Sequence, residues 1–147
     1  MTATKDIIPK LRFKEFSEPW KEKKLMDVGN NIIGLTYTPR DVSKDNSGTI
    51  VLRSSNLKND ALDLNDLVRV HSSIPKKLEV KTNDIVICTR NGSQRLIGKN
   101  IIVGYLKEHM TFGAFMSVFR SELNQFNVHL FKTQSYRRQI QMNLGAR

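Results

Sequence analysis

Apolar residues along this 147-residue chain fall in short runs set apart by polar, Gly- and Pro-marked stretches, a spacing that predicts strands joined by loops. Residues 85–88 and 101–103 are β-branched or small apolar runs of the kind a buried strand uses, and they flank a basic loop. Shorter strands are predicted over 49–53 and 67–71, and the most hydrophobic and buried one over 112–120. Asn59-Asp60 and Thr82-Asn83-Asp84 read as turns, and residues 20–28 as a short strand running into a helical turn that stops near Gly29-Asn30. From Phe126 the period lengthens. Val128, Leu130, Phe131, Tyr136, Ile140 and Leu144 fit one or two amphipathic helices over 126–144, broken near Gln134-Ser135, with Lys132, Arg137 and Arg138 on the polar side.

The pattern predicts an α+β fold: a twisted, mostly antiparallel β-sheet with short helices, its C-terminal helices packed on the sheet. Length and the absence of internal repeats predict one domain over residues 1–147. Residues 1–19 read as an irregular arm, expected to dock on the domain through Leu11, Phe13, Phe16 and Trp20.

The loop between the two central runs carries Arg90, Asn91, Gly92, Ser93, Gln94, Arg95 and Lys99. Guanidinium forks suit guanine or phosphate, amides suit adenine, hydroxyls suit either, and glycine lets backbone approach a ligand closely. A second strand end delivers the same chemistry in Arg53, Ser54, Ser55 and Asn56, and a Gly- and Pro-marked loop over 34–40 adds Thr36, Tyr37, Thr38 and Arg40. Solvated polar turns are the plain alternative for each stretch. A phosphate-cradling NTPase loop does not fit, because five residues rather than four separate Gly92 from Gly98-Lys99, and Asn100 stands where a magnesium-binding hydroxyl is needed.

Charge sharpens this picture. The formal net charge is +10, and residues 85–147 hold nine Lys/Arg against two acids, which points to a polyanionic partner. The single cysteine, Cys88, lies inside an apolar run, as a buried structural thiol does, and together with the lack of a signal-like or membrane-spanning apolar stretch it predicts a cytoplasmic protein. The histidines at 71, 109 and 129 have no metal-site spacing, so no metal and no cofactor are expected. Asp66, followed by Glu79-Val-Lys81, matches the acid and acid-x-lysine of Mg²⁺-dependent nucleases, but acid-x-lysine recurs by chance in a charged chain and Lys81 runs into a turn. Nothing serves methyl transfer: there is no Asn-Pro-Pro-aromatic tetrapeptide and no glycine-rich cofactor loop.

Four segments in order resemble the target-recognition domain of a type I restriction-modification specificity subunit. They are Pro9-Lys-Leu-Arg-Phe-Lys-Glu-Phe16 with Trp20; Leu52-Arg-Ser-Ser-Asn-Leu57; Asp84-Ile-Val-Ile-Cys-Thr-Arg-Asn-Gly-Ser93 with Leu96-Ile-Gly-Lys99; and Gly113-Ala-Phe-Met116 with Phe119-Arg-Ser121. The resemblance implies a non-catalytic protein that reads one half of a bipartite double-stranded DNA site, while methyltransferase (modification) and restriction subunits do the chemistry. Such a subunit has two recognition domains separated by long helices, so the likeness covers a single truncated domain, and self-association is left open. The competing expectations are a small Mg²⁺-dependent nuclease and an interaction protein that competes with full-length specificity subunits for assembly.

Overall fold

β-Branched and aromatic runs become strands wherever a second run can pair with them. The structure of the protein is a computed structural model that describes residues 8–145. Its elements are α1 (Leu25–Val28), β1 (Asn30–Ile33), β2 (Thr49–Leu52), β3 (Leu57–Lys58), β4 (Ala61–Leu62), β5 (Val68–Val70), β6 (Ile85–Cys88), β7 (Asn100–Ile102), β8 (Met110–Phe112), β9 (Met116–Arg120), α2 (Asn124–Leu130) and α3 (Gln134–Gly145). The fold is α+β and mostly antiparallel, with the helices of the C-terminal part following the strands. Its strands are shared among three sheets. The largest has the order β1-β9-β6-β7 and is antiparallel throughout. The second, β5-β2-β8, pairs β2 with β8 in parallel. The third is the β3-β4 hairpin, whose turn residues Asn59 and Asp60 both take positive φ, as a tight hairpin turn with right-handed strand twist requires.

The alternation of side chains along β6 sorts the core. Val86 and Cys88 join Ile50, Leu52, Phe112, Met116 and Val118 in the cluster between the two larger sheets. Ile85 points the other way and meets Phe119, Val128 and Phe131. Full burial of a side chain such as Phe112 stabilises the fold by roughly 1.5–3 kcal/mol. On the second face Phe131 packs against Phe119 with ring centroids 5.6 Å apart, and Asn124 Nδ2 donates to the carbonyls of Asn83 and Phe119, both at 2.8 Å. These contacts hold the helical part on the sheet. At the end of β9, Arg120 grips the buried Asp84 carboxylate with two hydrogen bonds of 2.8 and 2.7 Å.

Several expectations are corrected. The strand expected over 112–120 is two strands in different sheets, because Gly113 N donates to Leu52 O at 3.0 Å and Met116 N to Gly113 O at 2.8 Å, turning the chain between them. β1 was not expected, since Asn30-Asn-Ile-Ile33 lacks alternation; its pairing with β9, Asn30 opposite Arg120, makes it a strand. Residues 21–24 are not a strand, and the helical turn is α1. The arm does not dock as expected: Leu11, Phe13 and Phe16 are 95%, 76% and 65% exposed, while Trp20 stacks on Phe126 at 5.9 Å. The part of the arm over residues 1–7 lies outside the described residues. Phe126 and Leu130 are more exposed than core positions, and the helices break at 131–133 rather than at Gln134-Ser135. Among the described residues no helix is long and apolar enough to cross a membrane.

Candidate nucleic-acid interface

Sheet topology gathers the polar loops. The carboxyl ends of β1, β2, β6 and β8 lie together: Leu35 N donates to Phe112 O at 2.7 Å, Gly34 N to Met116 O at 3.2 Å, and Cys88 stands opposite Met116 in the β6-β9 register. At this end the exposed turn at Phe115 acts as a hub. Its carbonyl accepts from Thr89 N at 2.9 Å, Arg90 N at 3.0 Å and Thr89 Oγ1 at 3.0 Å, which aims the start of the 89–99 loop.

A cleft of about 620 Å³ opens there, lined among others by Thr36, Tyr37, Arg53, Ser54, Ser55 and Phe115. Two of the three predicted stretches thus share one cleft, and the third is tied to its rim by Asn91 Nδ2, which donates to Ser54 Oγ at 2.9 Å. Asn91 Oδ1 accepts from Ser93 N at 2.9 Å, so this amide shapes the loop as well as joining it to β2. Arg90, Gly92, Ser93 and Gln94 are exposed on the same loop. Arg40 is exposed in the turn after Pro39, outside the cleft lining. Thr38 is committed within its own turn, donating through N at 2.7 Å and Oγ1 at 2.8 Å to Asp41, and these bonds hold the Asp41 carboxyl below its ordinary range.

The remaining predicted residues divide. Asn56 is a correction: it is buried, its Oδ1 accepts from Arg53 N at 2.9 Å, and its Nδ2 donates to the carbonyls of Asp63 and Asp66 at 3.0 and 2.9 Å. With both ends of its amide engaged, it braces the β2 end and has no group left for a base. Arg53 is half-buried and its Nη2 pairs with the Asp66 carboxylate at 2.9 Å, so Asp66 orients a cleft cation. Glu79 presents its carbonyl to Arg120 Nη2 at 2.8 Å. Arg95 and Lys99 lie on the far side of the 89–99 loop, in a separate groove shared with α3. Cys88 lies in the core, and that burial pushes its thiol up, away from the reactive thiolate.

Phe115 and the α3 groove escaped sequence reasoning. The signal for the first was the small pair Gly113-Ala114 inside an apolar run, which marks a break. No protein-family model matches the chain, and a search of curated proteins finds no match.

Proposed function

We propose that this chain is a sequence-specific reader of double-stranded DNA, acting in the cytoplasm as the specificity component, or part of one, of a type I restriction-modification system. In this reading it is non-catalytic: it holds one half of a bipartite site and directs methyltransferase and restriction subunits to it. The observation that carries the proposal is the convergence of loops from four strand ends, where Arg53 and the Ser54 and Thr36 hydroxyls line an aromatic-walled cleft and Asn91 ties the loop that carries Arg90 to its rim. Base edges in the major groove are told apart by such forks and hydroxyls held on rigid strands. Phosphate contacts made by the surplus cations would set register and orientation without carrying sequence information.

The test combines selection from random duplexes with a salt titration of the selected sequence. Contact with about 4–6 phosphates gives a slope of log K against log salt of roughly −4 to −5. Arg90→Ala is expected to cost about 1–3 kcal/mol on the preferred duplex and to relax its sequence preference. A slope near zero, or a selection that enriches no sequence, would overturn the reading.

A further inference from the structure

The 89–99 loop has two sides. One faces the cleft at the strand ends. The other faces α3 across a groove of about 540 Å³ whose walls bring Arg95 and Lys99 from the loop against Lys132 and Arg137 from the helical part. Lys132 is paired with Asp60, the one acid of this groove among the described residues, at 3.2 Å. Arg95, Lys99 and Arg137 form no ion pair among the described residues. Unpaired cations gathered in one depression focus a positive potential that a polyanion relieves.

The placement of α3 is built. Gly98 takes a φ of +84°, a conformation open to glycine, and the Ile140 side chain packs tightly over it, 3.1 Å from where a Cβ would stand. Tyr136 donates its hydroxyl to Gly98 O at 3.1 Å and stacks on Phe131 with centroids 4.9 Å apart. The first turns of α3 are therefore fastened to the loop, which puts Arg137 in the wall of the groove that Arg95 and Lys99 also line. A smaller depression lined by Arg90, Asn91, Ile97, Ile140, Asn143 and Leu144 adjoins this groove, sharing Ile97, Ile140 and Leu144 with it. The surface from Arg90 to Arg137 is thus continuous.

We propose that this trough seats the sugar-phosphate backbone of one DNA strand while the cleft beyond Arg90 takes the base edges. Arg137, Arg95 and Lys99 are its phosphate contacts. This rests on the DNA-reading proposal above and assigns Arg95 and Arg137 to the backbone rather than to bases.

The experiment is a salt titration of duplex binding by the wild type, Arg137→Gln and Arg137→Lys, on the preferred duplex and on a scrambled one, with inorganic phosphate and a mononucleotide as competitors. Arg137→Gln is expected to weaken both duplexes alike and to make the salt slope shallower by about one unit, and Arg137→Lys to restore it. The small anions are expected to compete only weakly, since one phosphate engages a fraction of the trough. If the wild type binds but a folded Arg137→Gln keeps the same slope, the trough proposal fails and the reading of DNA stands. If the wild type binds every sequence equally while the slope shift is seen, the trough stands and sequence reading fails. Absence of duplex binding defeats both. Competition by mononucleotide as effective as that by duplex would make the groove a small-anion site and overturn the backbone assignment.

Discussion

Asn91 donates its side-chain amide to the Ser54 hydroxyl at 2.9 Å across 37 residues of sequence, locking the loop after β6 to the end of β2. One hydrogen bond thereby couples the two loops richest in base-reading groups. The spacing between Arg53 and Arg90 rests on this bond together with those that the Phe115 carbonyl accepts from Thr89 N and Arg90 N.

Removing this bond tests that coupling. Asn91→Ala and Ser54→Ala are each expected to lower stability by about 0.5–1.5 kcal/mol, and the double variant to lose less than the sum because the second change removes a bond already gone. Denaturant unfolding of the four proteins measures this. Fully additive losses would show that the loops are independent.

The Asp84–Arg120 pair ties the end of β9 to the turn before β6, with Asp84 2% exposed at its side chain. Its carboxylate also accepts from Lys81 N at 2.8 Å, closing the turn before β6, and the Asp84 hydrogen bonds raise the Arg120 pKa. Asp84→Ala leaves the guanidinium without a counter-charge in a mostly buried place and is expected to cost about 3 kcal/mol. Thermal unfolding with a loss under about 1 kcal/mol would mean that water or a neighbour replaces the carboxylate.

Gly34 sits where β1 ends against the β8-β9 turn, and a Cβ there would overlap the carbonyl oxygens of Gly113 and Phe112. Gly34→Ala is expected to push β1 off this turn and cost about 2 kcal/mol or more, with DNA binding impaired at the same time. Gly92→Ala is the control, since a Cβ there meets nothing within 4 Å. Equal stability of the two variants would contradict the close approach.

Tyr136 supplies a pH signature. Burial pushes its hydroxyl up to about 12, from the 10.0 of a free tyrosine. Below the unfolded value both states are protonated and no dependence arises. Between the two values the unfolded chain gives up the proton while the folded chain keeps it, so stability falls as pH rises from about 10 to 12, by on the order of 2 kcal/mol. Tyr136→Phe is expected to remove this part of the alkaline loss, measured as the difference between the two denaturation midpoints across that range. Parallel curves for the two proteins would place the hydroxyl in water.

Some of this protein was written locally in its residues. The runs at 85–88, 101–103 and 49–53 predicted β6, β7 and β2 because each centres on consecutive β-branched or apolar side chains that pack best on a pleated, buried surface. The turns at Asn59-Asp60 and at Asn83 were legible because asparagine and aspartate tolerate positive φ, and both sites use it. Net charge and the polar make-up of the 89–99 loop are properties of composition, which folding does not alter. The rest depended on contacts between distant segments. β1 exists through its pairing with β9, and the apolar run at 112–120 is divided because Leu52 takes one half into a parallel sheet. Asn56 reads as a base contact until the carbonyls of Asp63 and Asp66 consume its amide, and Arg95 and Lys99 line a groove away from the cleft only because α3 packs against their side of the loop. Local propensity sets which backbone shapes are cheap, whereas which side chains remain free for a ligand is decided by partners that folding brings from far along the chain.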